Sequence, residues 1–399
     1  MLEVEEAQQR IISAIQPLSS KTIPLREASG RVLAESVASP ISLPPFDNSA
    51  MDGYAVRAAD VASASAESPV QLRCIAEVAA GSTCEKTVLP KTCVRLFTGS
   101  PLPSGADAVV MQEDTRANGD SIAVLDPVKP WENVRLAGED VKRGAPLAEC
   151  GERLNAARLA LLGATGVEKV AVGAQPVCGI LSTGNELIEA GQALNPGQIY
   201  ESNRLAISTL IAQAGGVPRV YPLVRDSLDV TRRALAEAFA ECDVVVTTGG
   251  VSVGEHDLVK AAFEAMGGTM DFWQVAMRPG KPFVFGRFGG KFLFGLPGNP
   301  VSAFVTFLLL VRPAIFKLQG AKEAFLPSHP AALAEPLQNR GARRHFIRVS
   351  VNASGEVRSA GVQASHALSS LARANGLVNI PPETSWVAGT TVSVLRWEF

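Results

Sequence analysis

The sequence predicts an α/β protein of several domains, built around a doubly wound, mostly parallel sheet with smaller β modules before and after it. Three observations carry this reading. Strand-like and helix-like patterns alternate from Pro176 to Leu318, the signature of parallel strands joined by crossover helices. Short alternating runs punctuated by Gly and Pro precede and follow that stretch, as small β units require. The length, 399 residues, corresponds to two to four domains at about 150 residues each.

Taken in order, Leu2 to Ile15 reads as a short amphipathic helix that ends before Pro17. Lys21 to Ala38 is a second apolar-periodic stretch, with Leu25, Ala28, Val32 and Leu33, leading into a turn-rich loop from Pro40 to Asp52. Strand-like pieces follow at Val70–Val78, Thr92–Thr98, Asp107–Gln112 and Ile122–Leu125. Asn155 to Leu162 is helical again. The composition then changes at Pro176: strand Val177–Leu181, helix Arg204–Ala214, strand Val217–Leu223, helix Val230–Ala240, strand Asp243–Thr247, helix Leu258–Met266, strand Phe292–Leu296, and a long apolar helix Val301–Leu318. Beyond Pro327, Phe346–Val351, Val378–Ile380 and Thr390–Leu395 form a last β module. No internal repeat or low-complexity tract interrupts the pattern.

Composition narrows the function. Hydrophobic residues make up 47% and charged residues 19%, the latter below the ~25% of ordinary soluble domains, so most of the chain can bury a core. A net charge of -2 argues against a nucleic-acid binder, which carries a basic surface. The acidic amino terminus, Met1-Leu2-Glu3-Val4-Glu5-Glu6, is no signal peptide. The greasiest run, Ala303–Val311, is half the length needed to cross a bilayer. The six cysteines, Cys74, Cys84, Cys93, Cys150, Cys178 and Cys242, form no Cys-x-x-Cys pair and lie near none of the four histidines. Zinc-site spacing is absent, and reduced thiols of a cytoplasmic protein are expected.

Ligands of doubly wound sheets bind at the carboxyl ends of the strands. The loops after Leu181, Thr247 and Leu296 are therefore the candidates. The first is Ser182-Thr183-Gly184-Asn185-Glu186; the second runs from Thr248-Gly249-Gly250 through Ser252 to Asp257; the third is Pro297-Gly298-Asn299-Pro300. Gly249 and Gly250 let backbone amides approach an anion, with a helix start behind them. Asp257 stands at that helix start, either as its N-cap or as a metal ligand. Asn299 and Pro300 also suit an ordinary helix opening. Arg278-Pro279-Gly280-Lys281-Pro282 fixes two cations around a turn, fit for phosphate or another oxyanion, or simply a solvated turn. In the amino-terminal third, Asn48 to Ala55 with Asp52, Thr98-Gly99 and Gly138-Glu139-Asp140 are turn-like and by spacing alone identify nothing.

As an ordered set these motifs are specific. Asn48-Ser49-Ala50-Met51-Asp52-Gly53-Tyr54-Ala55, Thr98-Gly99, Gly138-Glu139-Asp140, Ser182-Thr183-Gly184-Asn185-Glu186-Leu187, Thr248-Gly249-Gly250-Val251-Ser252-Val253-Gly254, Pro279-Gly280-Lys281-Pro282 and Leu296-Pro297-Gly298-Asn299-Pro300-Val301-Ser302 occur in that order. The chain closely resembles the MoeA family, the molybdopterin molybdenumtransferases, related to the E domain of gephyrin, over essentially its whole length.

The resemblance implies an elongated homodimer of four subdomains. On this sequence they fall at 1–44 with 139–174 (a discontinuous linker and dimer domain), 45–138 (the inserted β domain), 175–320 (the molybdopterin-binding α/β domain) and 321–399 (the carboxy-terminal β domain). The implied reaction inserts molybdenum from molybdate into adenylylated molybdopterin, with hydrolysis of the adenylate and release of AMP, assisted by Mg2+. Asp52, Thr98 and Asp140 would line the cleft from the inserted domain. Glu186, Asp226, Ser252, Asp257, Lys281 and the Pro297–Pro300 loop would line it from the α/β side, with Thr183, Gly184, Thr248, Gly249 and Gly250 in the same loops. Arg278 stands where some relatives have Lys. It keeps the charge but not the compact geometry. Arg348 and Ser365 match the family pattern loosely in the last module. Glu186 and Asp257 offer the oxygen ligands that magnesium takes, or one of them serves as a general base. Implied partners are the molybdopterin adenylyltransferase and the molybdoenzymes downstream. Two other readings remain: a molybdopterin adenylyltransferase, which would need only the Pro176–Leu318 region, and a non-enzymatic scaffold or partner-binding module.

Overall fold

The computed structural model describes residues 1–250 and 258–397. Its central sheet has six strands in the order Val217–Val220, Val177–Ser182, Val244–Thr248, Lys291–Leu296, Pro282–Phe288, Thr269–Gln274. The first four are parallel and the last two run antiparallel. The doubly wound, mostly parallel sheet is therefore present, but it is mixed. The two antiparallel strands were not read from the sequence. Their burial comes from a Phe cluster, in which Phe285 lies 5.6 Å from Phe272, 6.1 Å from Phe292 and 5.2 Å from Phe294 between ring centroids.

Helices cover both faces. Leu228–Glu241 and Leu258–Ala265 pack Leu235, Phe239 and Phe263 on one side. On the other, Asn203–Gln213 and the long helix share a core with Val4, Ala7 and Ile11 of the amino-terminal helix Val4–Ala14 and with Phe346, Leu377 and Trp397 of the last module. One core therefore joins the two ends of the chain to the α/β layer.

The long helix is not continuous. Pro300–Thr306 passes through a π-helical stretch, Phe307–Val311, into Arg312–Leu318. Pro313 has no N–H to give the Leu309 carbonyl. The Arg312 N–H bonds the Phe307 carbonyl, five residues back, and Gln8 of the amino-terminal helix donates to Leu309 O at 2.9 Å. The wider turn follows from the proline, and a neighbouring helix satisfies the carbonyl it frees. This 19-residue helix is long and apolar enough to cross a membrane, yet 83% of its apolar window is buried inside the protein.

Between the amino-terminal helix and the central sheet, the chain forms two further units. The stretch from Lys21 contributes strand Ser20–Pro24, a 3₁₀ turn Leu25–Glu27 and strand Val37–Ala38. These pair with Lys169–Gly173 and Pro146–Ala148 around Leu33, Leu147, Leu162 and Val172. The helix expected after Asn155 runs from Ala156 to Ala164, and Asn155 caps it by accepting from the Arg158 N–H. The second unit is a six-stranded sheet, Ala108–Met111, Gly53–Val56, Thr92–Leu96, Val70–Val78, Ser121–Val124, Thr115–Asn118, with apolar clusters on both faces. The last module closes on itself. Arg344–Val351 pairs with both Glu356–Ser359 and Gly376–Ile380, and Ser328–Leu333 and Thr391–Arg396 complete the circuit.

Candidate active site

The parallel register puts Ser182 beside Thr248 and Thr248 beside Leu296, so three strands end at one level. The Ser182 and Thr248 hydroxyls are 2.6 Å apart. Ser182 also donates to Glu201 Oε1 at 3.0 Å. The three loops that follow open a cleft of about 990 Å³, a size suited to a large small-molecule ligand.

Glycine shapes its floor. Gly250 has φ +65°, and a Cβ there would lie 2.8 Å from both Thr183 Oγ1 and Val259 Cγ2. The Thr183 hydroxyl beneath it is buried with no hydrogen-bond partner. Gly249 donates to Leu296 O, holding the second loop to the strand before the third, and Asn203 at the start of helix Asn203–Gln213 donates to Gly298 O of the third loop. Pro300 opens the long helix behind Asn299.

Carboxylates ring the opposite wall. Glu186 folds its carboxylate over Gly184, 2.6 Å from where a Cβ would stand. Asp226 accepts the Asn185 N–H at 3.1 Å, and the Asn185 side chain accepts the Asp226 N–H at 3.2 Å. Both acids are exposed in the cleft. The sequence reading missed Glu201 and Arg204 as site residues. Arg204 bonds Glu201 at 3.0 Å, Glu189 at 2.6 Å and Tyr221 O at 2.7 Å. Burial works against the Arg204 charge, but the two carboxylates hold the guanidinium above its ordinary value. This pair anchors the wall from which Tyr200 and Asn203 face the ligand space.

Arg278 and Lys281 do not line that cleft. They line a neighbouring pocket of about 410 Å³ with Arg343, Ser302 and Ser365. The two cavities flank the same helix start: Pro300 faces one and Ser302 the other, and His366 and Ser365 divide likewise. The Ser365 carbonyl accepts the Val301 N–H at 3.1 Å. His345, across the strand pairing from Arg278, is buried. Burial, then the charges of Arg278 and Arg348, push its imidazole down to about 4.

Arg348 needs correcting. It is fully buried rather than in the cleft. It donates to Val362 O at 2.7 Å, to Ala364 O at 3.2 Å and to Ser370 Oγ at 3.1 Å, so it positions the loop carrying Ser365. Burial brings its guanidinium down to about 10.

Of the remaining expected residues, Asp52 and Thr98 lie in the inserted unit and Asp140 just beyond it. Asp52 Oδ1 accepts the Thr98 N–H at 2.7 Å and the Thr98 hydroxyl at 2.8 Å. Those bonds, with Arg95 nearby, hold its carboxyl below the usual range against a small opposing effect of burial. Asp140 sits where Leu43 pairs with Val141, and its N–H donates to Leu43 O. Asp47 accepts the Ala137 N–H at 2.7 Å, and Gly99 donates to Ser49 O, so these loops form one cluster. Among the described residues, none from 45 to 140 lines either α/β cavity. Within one chain the expected residues therefore fall into two separate groups. Ser252 and Asp257 lie outside the described residues; Leu258, next in the chain, lines the larger cleft.

The fold and these loops define a class, a molybdopterin-binding type α/β domain carried between two further modules. Comparison with known families agrees. The model of the MoeA N-terminal region (domain I and II) matches residues 2–166, that of the probable molybdopterin binding domain matches 179–317, and that of the MoeA C-terminal region (domain IV) matches 330–397. The molybdopterin molybdenumtransferase of Haemophilus influenzae is 38% identical over 99% of this chain and 98% of its own length. The molybdopterin molybdenumtransferase 2 of Mycobacterium tuberculosis is 37% identical over 98% of each. A crystal structure of the molybdopterin biosynthesis MoeA protein from Pyrococcus horikoshii superposes with a TM-score of 0.86 at 33% identity, covering 100% of both chains. The chain belongs to the MoeA family.

Proposed function

We propose that this protein is a molybdopterin molybdenumtransferase, inserting molybdenum from molybdate into adenylylated molybdopterin and releasing AMP. The observation that carries the reading is the pair of cavities sharing the Pro300–Ser302 helix start. The wide one offers glycine turns and carboxylates to a pterin nucleotide; the small one offers Arg278, Lys281 and Arg343 to an oxyanion.

The chemistry follows from the residue types. Lys281, Arg278 and Arg343 offset the charge of molybdate, while the Ser302 and Ser365 hydroxyls supply neutral donors. The Gly250 amide is the one of the Thr248–Gly250 turn offered to the pyrophosphate, since the Gly249 N–H is given to Leu296 O. Glu186 and Asp226 would repel that phosphate unless a hard cation lies between them. Their exposed carboxylate oxygens fit Mg2+, which supplies phosphoryl polarisation when bound. Glu186, with Asp257 beyond the described loop, would hold it, and Asp226 stands at the same wall. Glu201 and Arg204 keep the wall in place. Asp52, held ionised by Thr98, serves the same reaction from the other half-site.

The active unit is read as a homodimer that joins one chain's Asp52–Thr98–Asp140 cluster to its partner's α/β cavities. Exposed apolar side chains border both halves: Phe46 and Met51 beside Asp52, Ile199 and Tyr200 beside Glu201. The six free cysteines suit a reducing cytoplasm. The adenylyltransferase supplying the substrate and the molybdoenzymes taking the product are the expected partners.

The test is AMP release from adenylylated molybdopterin as molybdate is titrated. A charge-assisted contact contributes about 1.5–3 kcal/mol. Lys281→Ala should therefore raise the molybdate needed for half-maximal release about ten- to hundredfold, with Lys281→Arg recovering part. Release that is absent in the parent chain, or equal in Lys281→Ala at every molybdate concentration, sinks the reading.

A further inference from the structure

A second basic pocket lies apart from the candidate site, where Arg153, the end of helix Asn203–Gln213, the long helix and the last module meet. It encloses about 210 Å³. Arg153, Arg312 and Arg396 reach it from three distant parts of the chain. Arg153 and Arg312 share one aromatic ring, their Cζ atoms 5.5 and 4.5 Å from the Phe316 centroid. Burial, and then the charge of Arg153, bring Arg312 down to about 10.

Among the described residues, no carboxylate forms an ion pair with any of the three. The hydrogen bonds they make go to main-chain carbonyls: Arg153 to Gly30 and Gln213, Arg312 to Ala324. Arg396 Nε is buried with no hydrogen-bond partner. A guanidinium carries five N–H donors, so most of the donors here are unspent. Three like charges gathered on a partly desolvated wall repel one another, and an anion would offset that repulsion while filling the donors. Apart from Gln213, the rest of the wall, including Leu308, Leu326 and Trp397, is apolar. The volume is below that of pockets for drug-sized ligands.

We propose that this junction pocket binds a small oxyanion, of the phosphate or short-carboxylate type, independently of the Lys281 cavity. Its donors come from Arg153 near the Pro146–Ala148 strand, Arg312 on the long helix and Arg396 at the end of the barrel. An ion held there ties the Arg153 segment and the last module to the α/β layer.

Calorimetric titration of the full chain with inorganic phosphate, and separately with malonate, tests this at fixed ionic strength. Lys281→Ala, which removes a cation of the other pocket, should keep one site per chain for at least one of the two anions. The tighter of them identifies the source. Adding Arg153→Gln and Arg396→Gln should weaken that binding at least tenfold and abolish the rise in melting temperature that the anion gives. If the multiple variant does not fold, Arg153→Gln in the Lys281→Ala background decides. The Arg153 side chain is exposed, so its loss should leave the fold intact and weaken binding at least threefold. No binding of either anion to Lys281→Ala, or affinity unchanged by the arginine substitutions, overturns the proposal.

Discussion

Asp52 shows how little of a site residue's chemistry lies in its own side chain. Both Thr98 donors meet one oxygen, Oδ1. Thr98→Val removes the hydroxyl donor and keeps the amide. The Asp52 carboxyl should then titrate closer to its ordinary range, read by carboxyl 13C shifts, and AMP release should fall about tenfold with little change in melting. His345 makes a second case. Its folded pKa of about 4 lies below the ordinary 6.5, so between those values the unfolded chain binds a proton that the folded chain does not. Its neutral form leaves stability intact above about pH 6.5, and stability falls as pH drops toward 4. His345→Asn should flatten the pH dependence of unfolding free energy across that window by close to one proton. An unchanged slope removes His345 from the account. Asp52, Thr98, the glycine turns and Lys281 sit in short motifs of residues close in sequence and for that reason were singled out. Glu201, Arg204, Arg343 and His345 were not, since their roles arise from pairings across strands and helices. Arg348, whose type suggests an anion contact, instead lies buried with its Nη2 bonded to the Val362 and Ala364 carbonyls.

Among elements, the Arg278–Pro282 turn and the long helix depend on each other most closely. Gly280 has φ +106°, and a Cβ there would stand 2.3 Å from Thr306 Cγ2. Gly280→Ala brings both backbone strain and a clash with a buried helix, costing about 2–4 kcal/mol. Its melting temperature should drop by several degrees, and molybdate dependence should weaken because Arg278 and Lys281 move together. A variant that melts and turns over like its parent would show that the turn is free of the helix. The long helix itself was legible by its apolar run, but its π-helical stretch was not, since Pro313 changes hydrogen bonding without changing hydrophobicity. The strands Thr269–Gln274 and Pro282–Phe288 escaped notice for a related reason. The sequence reading assigned only the Arg278–Pro282 turn between them, and only the Phe stacking beneath shows what they bury.

At the scale of the whole molecule, the separation of Asp52 and Asp140 from the α/β cavities makes a sharp claim. If the site is shared between subunits, mixing Asp52→Ala chains with Lys281→Ala chains should restore part of the activity each lacks, through one intact composite site. A mixture no more active than its parents, with subunit exchange verified by mass, rules out sharing. The order of modules was readable from the alternation of patterns. The single core joining Val4 and Ile11 to Phe346 and Trp397 was not, because contacts spanning more than 300 positions leave no local periodicity.

That common core bears on how the chain can be divided. Sequence boundaries invite cutting it into amino-terminal, α/β and carboxy-terminal pieces, as if each were a self-contained part. The α/β layer, cut free, would expose the apolar face that Val4, Ile11, Phe346 and Trp397 cover and would behave as a sticky fragment. The six-stranded unit holding Asp52 and Thr98 has apolar clusters of its own. It is the piece that insertion, exchange or grafting can treat as a cassette, while the two ends of the chain and the layer between them have to be inherited together.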